Sequence, residues 1–429
     1  MVVEPLIPEV CTTVDAHLQS HGGELAPSDE TKLDTARIQR AIDHCGKDRA
    51  VMLHVDEGKN AFLTGPLQLR PEVTLIVDMG VTLFASRDPR LYAVSPGSCG
   101  AVNQAAPGCK PLISANRAPN SGIMGDGMID GRGGQKMLGS KYSWWDLAEQ
   151  AREGGRQQVP RLIVVNHSDN FTLYRVTLKN SPNFHVVFNH GNGFTVWGVR
   201  IDTPQRGARN TDGIDPGNGA KNITIMNTFI RTGDDNVAIK GGPGGVTNMT
   251  VARSHFYWGH GMSIGSETQG GVSHIRVTGL SIDGADNGLR IKSNGSRGGL
   301  VEDVIYDDTC IRNSPHPITF DMAYSDSGTL TGNLPPSVED VVLHDVRISG
   351  GGKIAFSGYD STHRIDAMLN GVQITDDAKY GYVVSHADLR LGPEPTNLQL
   401  PAGTDSTIQG KPAQGSPTSC AAMFVPFPK

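Results

Sequence analysis

The chain has 429 residues, 53 of them glycine, and a formal net charge of −6. A chain of this length can bury a large core without help from metals or disulfides. The negative charge excludes a generally basic surface, so nucleic acid is not expected as a partner, because that affinity comes from many phosphate-neutralising cations. No stretch reaches the roughly 18 apolar residues that a membrane span requires, so no membrane partner is expected.

The first elements in chain order are a short N-terminal stretch and one clear helix. The start "MVVEPLIPEV" lacks the charged and apolar regions of a signal peptide, so a secreted protein would be present here in its mature form. In "DETKLDTARIQRAIDHC" one apolar face is formed by Ile38, Ala41, Ile42 and Cys45. Asp34 or Thr35 is the predicted N-cap.

After the helix the chain is predicted to form short strands. The runs "AFLTGPLQL" and "VTLIVDMGVTLFAS" are rich in β-branched and aromatic residues and are bounded by Gly and Pro. Residues 135–160 break this pattern and predict a loop with a helical turn. The Pro/Gly/Ser-rich residues from 393 onward predict an irregular tail that lies along the preceding strands.

A repeat begins near residue 170. Short alternating runs recur at intervals of 23 to 29 residues, with anchors at Phe171, Phe194, Ile223, Met249, Ile275 and Val304. Repeats of this length indicate a solenoid or propeller, and about 26 residues is too short for a four-stranded propeller blade. A right-handed parallel β-helix fits best, with the N-terminal helix covering one end of the core.

The predicted architecture is therefore all-β and single-domain over residues 1–429. Residues 1–50 form the N-terminal cap region, 51–392 the β-helix coils and 393–429 the irregular tail. A monomer is expected.

The six cysteines, at 11, 45, 99, 109, 310 and 420, show no zinc-ligand spacing. An even number without metal spacing favours disulfides and an oxidising compartment, and hence secretion. Cys99–Cys109 and Cys11–Cys45 are candidate bridges. Free buried thiols in a cytosolic protein remain the alternative.

Five Asn-X-Ser/Thr sequons occur, at Asn166, Asn170, Asn222, Asn248 and Asn294. Glycosylation is one interpretation. The favoured one is structural, because several recur at the same point of the repeat, where Asn suits a bend before a strand.

Four polar motifs follow one another at about one coil each. They are "NTDGID" with Asp212, "GDDNVAIK" with Asp234 and Asp235, "GHGMSIG" with His260, and "LRIKS" with Arg290 and Lys292. Taken alone, each is a good turn or solvated strand sequence. In a parallel solenoid, however, equal offsets stack side chains about 4.8 Å apart, so the motifs are predicted to form one column.

Local spacing adds three expectations. Arg290 and Lys292 should share one face of a strand, with Ile291 pointing inward. Gly233 should permit a bend that turns both neighbouring aspartates outward. The glycines on either side of His260 should leave room for a ligand.

Carboxylates beside cations suit glycoside hydrolysis. One carboxylic acid protonates the leaving oxygen and another carboxylate activates water. The reference pKa of Asp is about 3.9, so the acid needs a raised pKa, which nearby like charges supply. A neighbouring Arg can bind the carboxylate of an acidic sugar through two parallel hydrogen bonds.

These motifs resemble those of the polygalacturonases, glycoside hydrolase family 28. Further stretches ("ARIQRAIDHC", "GDGMIDGRGG", "SWWDLA", "PRLI" and "NSPNFHVVF") are similar to the bacterial endo-polygalacturonases of soft-rot plant pathogens. The resemblance extends over most of the chain. It implies endo-acting, inverting hydrolysis of the α-1,4 bonds of de-esterified polygalacturonate or pectin, without a cofactor or metal.

The same resemblance implies roles for individual residues. Asp234 would be the general acid, Asp212 and Asp235 would hold the attacking water, and His260 would tune the acid. Substrate-binding roles fall to four residues: Arg290, Lys292, Tyr324 in "FDMAY", and Asn218.

Other functions stay open at this stage. A pectate lyase would need calcium and an Arg base, and a rhamnogalacturonan hydrolase would share the family. An exo-acting polygalacturonase would differ only in how its groove ends. A β-helical adhesin or tailspike-like protein would bind polysaccharide without turnover.

Overall fold

The computed structural model describes residues 3–325 and 332–428. The chain forms two compact units, Met1–Ile214 with Arg231–Asp234, and Asp215–Ile230 with Asp235–Lys429. The single domain over residues 1–429 stays a prediction. Within the described ranges, no helix has the length and apolar character needed to cross a membrane.

The helices are few and short. They are α1 (Thr35–His44), α2 (Pro89–Tyr92) and α3 (Trp144–Gln150), with 3₁₀ turns at Pro27–Asp29, Ala151–Glu153 and Asp377–Lys379.

Helix α1 confirms the helix expected from the apolar pattern. Ile38 and Ile42 on that face are fully buried. Asp34 is the N-cap, but its side chain makes no cap hydrogen bond and accepts instead from Leu63 N and Arg37 Nε. That α1 covers the end of a β-helix stays a prediction.

Helix α3 is the helical turn expected within residues 135–160. Ser143 and Asp146 form a reciprocal capping box, which satisfies two backbone N–H groups at its start. The helix's own side chains Trp144 and Leu147 are buried.

The first unit contains nineteen strands among its described residues: β1 (Glu9–Asp15), β2 (Ser20–His21), β3 (Glu24–Leu25), β4 (Arg49–His54), β5 (Ala61–Thr64), β6 (Leu67–Gln68), β7 (Val73–Val77), β8 (Thr82–Ala85), β9 (Ala101–Val102), β10 (Ile113–Asn116), β11 (Gly122–Met124), β12 (Met128–Asp130), β13 (Gln157–Gln158), β14 (Ile163–Asn166), β15 (Phe171–Tyr174), β16 (Thr177–Lys179), β17 (Val186–Asn189), β18 (Asn192–Trp197) and β19 (Arg200–Asp202).

Most of these strands form three parallel stacks. The stacks are β4–β7–β11–β15–β18, β5–β8–β12–β16–β19 and β6–β10–β14–β17. Each strand pairs with its counterpart one coil later, so like side chains lie above one another. The first stack buries an aliphatic column made of Val51, Leu75, Ile123, Leu173 and Val196. Each such side chain contributes about 2 kcal/mol of hydrophobic free energy.

The strands from residue 214 onward are β20 (Ile214–Gly217), β21 (Ala220–Met226), β22 (Phe229–Arg231), β23 (Val237–Ile239), β24 (Val246–Phe256), β25 (Met262–Ile264), β26 (Val272–Asp283), β27 (Asn287–Lys292), β28 (Leu300–Arg312), β29 (His316–Asp321), β30 (Ser337–Ser349), β31 (Gly352–Ser357), β32 (Ile365–Asn370), β33 (Gln373–Ile374), β34 (Tyr380–Leu391) and β35 (Thr404–Gln409).

In the second unit, long strands alternate with short ones. The long strands stack as β24–β26–β28–β30, and the short ones as β23–β25–β27–β29–β31. The anchors of the repeat are register partners within each unit: Phe171 with Phe194, and Ile223 with Met249, Ile275 and Val304 in succession. The repeat in the sequence therefore marks one position of the coil.

All six cysteines form disulfides, Cys11–Cys45, Cys99–Cys109 and Cys310–Cys420. Both candidate bridges are confirmed. The third joins β28 to the tail. The tail beyond residue 393 was expected to be irregular, but part of it is a strand. β35 pairs in parallel with β34 through residues such as Thr407 and Ile408.

The sequon asparagines support the structural interpretation. Asn170, Asn222 and Asn248 have φ of 54°, 57° and 58°, the left-handed region that Asn tolerates better than most residues. Asn294 is fully buried and donates to the Tyr324 carbonyl.

Candidate active site

Two of the three predicted acids and the histidine occupy the same position relative to the strand that follows them. Asp212, Asp235 and His260 each lie two residues before a strand begins, at Ile214, Val237 and Met262. We call this the pre-strand position. A side chain there leaves the coil where the backbone turns into a strand.

Asp212, in the first unit, is buried and its backbone is held by a histidine. Its carbonyl accepts from His185 N at 2.8 Å and lies 3.0 Å from His185 Nδ1. His185 Nε2 accepts from Ser181 N, which can only donate, so Nδ1 carries the hydrogen and donates to Asp212. Burial lowers the pKa of His185 to about 4, so this imidazole is neutral above that pH.

Asp234 lies in a bend of the first unit that Gly233 makes possible. A Cβ at residue 233 would approach the Ala208 carbonyl oxygen to 2.1 Å, so only glycine fits there. The chain bends at residues 233–234 as expected, but the expectation that both neighbouring aspartates turn outward is wrong, because Asp235 is fully buried. Asp234 is half-buried, and its Oδ2 accepts from Asn210 N and Nδ2 at 3.3 and 3.5 Å.

Asn210 is itself oriented by another amide. Gln157 Nε2 donates to Asn210 Oδ1 at 2.9 Å, which leaves the Asn210 amino group to face Asp234. His185 and Asn210 were missed by the residue-level argument, although both lie in stretches that carry the motifs. His185 contacts the backbone of Asp212, and Asn210 contacts Asp234 through N–H groups of its backbone and side-chain amide. Contacts of this kind do not produce a recognisable spacing in the sequence.

Asp235, in the second unit, is fully buried and ion-paired. Its Oδ2 lies 2.8 Å from Lys292 Nζ, and its Oδ1 lies 3.5 Å from Arg290 Nη1 and accepts from Ser263 Oγ at 2.6 Å. Two positive charges at these distances favour the ionised carboxylate. The carboxylate is thus covered by the cations and does not point freely outward.

The cations lie on β27 as expected. Ile291 between them is fully buried, so Arg290 and Lys292 share the opposite face. The Tyr324 ring lies 5.1 Å from both Arg290 Cζ and Lys292 Nζ. These three side chains and Asp235 form one cluster, and the structure brings together four of the eight predicted site residues here.

The register corrects one part of the predicted column. Arg290 pairs with Ser263, three residues past His260, so Arg290 does not stack on His260. The reason is that turn lengths differ between coils, so an interval near one coil length does not fix the register. The long side chains of Arg290 and Lys292 reach Asp235 nonetheless. The column stays a prediction where it joins residues of the two units.

His260 is half-buried between two glycines. Its Nε2 lies 3.4 Å from Asp286 Oδ2, a partner that the motifs did not indicate. The expectation that Gly261 leaves room for a ligand is wrong, since a Cβ there would meet the carbonyl oxygens of Asn287 and Gly288 at 2.2 and 2.3 Å. Gly261 is required by close backbone packing.

Asn218 lies at a turn, with φ of 38°. Its Oδ1 accepts from Gly244 N at 2.8 Å, which fixes the side chain against the neighbouring coil. Its substrate-binding role stays a prediction.

The Asp235 cluster is poorly suited to a metal ion. A bound cation would have to displace the Lys292 ammonium or lie beside it, and like charges at that distance repel. The cluster instead suits an ionised base next to groups that bind an anion.

Comparison with known proteins points in the same direction as this geometry. The sequence model of the family described as glycosyl hydrolases family 28 matches residues 45–386. An endo-polygalacturonase of Pectobacterium carotovorum subsp. carotovorum is 42% identical over 88% of this chain and 90% of its own. A polygalacturonase of Ralstonia nicotianae is 37% identical over 99% and 92%.

A solved structure is also similar. The polygalacturonase from Erwinia carotovora ssp. carotovora superposes with a TM-score of 0.83 at 40% identity, covering 91% of this chain and 98% of that one. This likeness, with the parallel stacks in each unit, confirms the predicted all-β parallel β-helix.

Proposed function

Because the chain belongs to glycosyl hydrolases family 28, we propose that it hydrolyses the α-1,4 bonds of de-esterified polygalacturonate at internal positions. The resemblance drawn from the motifs is confirmed at the level of the family. Cleavage at internal positions is supported by the relative that is itself an endo-polygalacturonase.

One observation supports the assignment of acid and base: two consecutive carboxyl groups have different surroundings. Asp235 is buried against Lys292 and Arg290, whereas Asp234 Oδ2 faces the neutral amide donors of Asn210. Environments that differ in this way separate the two groups into an acid and a base. Asp234 is then the general acid, and Asp235 acts with Asp212 on the attacking water.

The proposal also assigns the proton of Asp234 to one of its two oxygens. Oδ2 accepts from two N–H groups of Asn210, and a proton on Oδ2 would weaken both hydrogen bonds. We therefore propose that Oδ1 carries the transferable proton. It passes to the glycosidic oxygen as the bond to the anomeric carbon breaks, while water, deprotonated by a carboxylate, attacks from the opposite face with inversion.

The cations serve the substrate as well as Asp235. Arg290 and Lys292 lie over Tyr324, so a uronate carboxylate can meet a guanidinium and an ammonium beside an aromatic face. His260, held near Asp286, would tune the hydrogen bonds of the acid. Three disulfides support an extracellular location. We further propose that the protein is a monomer.

The test is incubation with polygalacturonate and a chelator, following viscosity, new reducing ends and near-ultraviolet absorbance. Asp234→Asn serves as the matched variant. A steep fall in viscosity with few reducing ends and no unsaturated product supports the proposal. Abundant monomer with slow loss of viscosity would make the enzyme exo-acting, and no turnover by folded protein would favour polysaccharide binding alone.

A further inference from the structure

The loop that carries His260 is held by a buried asparagine to which the proposed mechanism gives no role. This loop joins β24 to β25 and bends at residues 258–260. Asn236, the residue directly after Asp235, lies in the same unit and has no exposed surface. Its side-chain amide bonds to the loop on both sides of His260.

The amide of Asn236 uses both of its N–H donors and its carbonyl oxygen. Nδ2 donates to the Trp258 carbonyl at 3.0 Å and to the Ile230 carbonyl at 3.1 Å. Oδ1 accepts from Gly261 N at 2.8 Å, and the backbone N of Asn236 donates to the Gly261 carbonyl at 3.1 Å. A carboxylate or an aliphatic group of the same size would leave buried polar groups of the loop unpaired.

These contacts enclose the histidine. Trp258 precedes His260 by two residues and Gly261 follows it directly, so one side chain fixes the backbone before and after the imidazole. Asp286 N adds a third contact to the loop, because it donates to the Gly259 carbonyl at 2.7 Å. A buried polar network in which every group is paired is rigid, since any movement that breaks one bond leaves a buried group unsatisfied.

Asn236 also connects the loop to Asp235. A carboxylate oxygen of Asp235 and a ring nitrogen of His260 lie within 4.8 Å of each other. Ser263 Oγ donates to Asp235 Oδ1 at 2.6 Å and lies 3.4 Å from the His260 carbonyl oxygen. Because Asn236 is covalently next to Asp235, a shift of the loop relative to Asn236 changes the separation between the carboxylate and the imidazole.

We propose that Asn236 is a positioning residue, which holds His260 at the distance from Asp235 that the reaction requires. The inference rests on the proposed function and deepens it. Asn236 acts through the loop and does not need to contact the substrate. Its loss should therefore lower kcat and change KM by less than about twofold, because Arg290 and Lys292 still bind the substrate carboxylate.

The experiment is a double-mutant cycle on polygalacturonate. Asn236→Ser, whose short hydroxyl cannot pair all three groups, should lower kcat about tenfold, since small displacements of reacting groups are costly. In the His260→Ala background the same change should lower kcat by less than about twofold, because the positioned group is already absent. Asn236→Asp, which keeps the acceptor for Gly261 N but loses both donors, should show the same coupling. Thr228→Val, which removes a buried hydrogen bond to Ser254, is the matched control and should leave kcat unchanged.

Equal losses of kcat in the two backgrounds would overturn the inference while leaving hydrolysis intact. A second readout does not depend on turnover: the imidazole signals of His260 in NMR spectra of protein labelled with 13C-histidine, assigned with His260→Ala. Asn236→Ser should shift these signals and leave those of His344 on β30 unchanged. An inactive wild type would refute the proposed hydrolysis. A shifted His260 signal would then still uphold the positioning by Asn236, and an unshifted one would overturn it.

Discussion

Replacing His185 by Asn tests the buried histidine that holds Asp212. His185 has no exposed surface, and its Nδ1–H donates to the Asp212 carbonyl. Asn places an amide N–H near the position of Nδ1 but cannot titrate. The change should therefore remove the pH dependence that this histidine imparts to stability, while keeping most of the contact.

The size of the effect follows from the pKa. Burial lowers the pKa of His185 from 6.5 to about 4. Above pH 6.5 the group is neutral in both the folded and the unfolded chain and contributes nothing. As the pH falls from 6.5 towards 4, only the unfolded chain takes up the proton, so the folded state loses about 1.4 kcal/mol per pH unit, roughly 3 kcal/mol in all.

The assay is equilibrium urea unfolding of wild type and variant at several pH values between 4 and 7.5, with the disulfides intact. As the pH is lowered from 7.5 to 4, the free energy of unfolding of the variant should rise by about 3 kcal/mol relative to that of the wild type. The exposed His17→Asn is the matched control and should show no such trend. A constant difference between His185→Asn and wild type at all pH values would refute the reasoning.

Three further predictions concern the ion pair of Asp235, the hydrogen bonds to Asp234 and the C-terminal tail. Lys292→Met should lower the free energy of unfolding by about 3–5 kcal/mol, because Asp235 stays charged and buried, and adding Asp235→Asn should recover part of it in the same denaturation assay. Asn210→Ala should reduce kcat on polygalacturonate about threefold to tenfold, since one of two long hydrogen bonds to Asp234 is lost; an unchanged pH profile and kcat would contradict the role of Asn210. Replacing Cys310 and Cys420 by Ala should cost about 2–5 kcal/mol of unfolding free energy and expose the tail to limited proteolysis; an undiminished midpoint would count against the tail as a stabilising element.

The fold was predictable from the sequence where one position of the coil repeats. Met249, Ile275 and Val304 are register partners because a parallel stack requires the same apolar side chain at each level. The strand β35 was not predictable, since Thr407 and Ile408 stand alone among turn-forming residues. Their pairing depends on β34, which a local pattern cannot show.

The candidate site was predictable where chemistry and spacing coincide. Arg290, Lys292 and Asp235 are clustered as their motifs indicate. The register of His260 relative to Arg290 was not predictable, because turns of different length shift the register of a coil without changing the motif. His185 was not predicted for a different reason. It contacts the backbone carbonyl of Asp212, and a residue of any type at position 212 would supply that carbonyl.

The most direct test of the central claim is a proton NMR time course of polygalacturonate with the wild-type enzyme and a chelator. Hydrolysis by a general acid and an activated water predicts that β-anomeric reducing ends appear first and mutarotate later, with no signals from an unsaturated uronate. First-formed α-anomers would mean that a carboxylate acts as a nucleophile. Unsaturated ends, or a spectrum that never changes, would contradict the proposed hydrolysis itself.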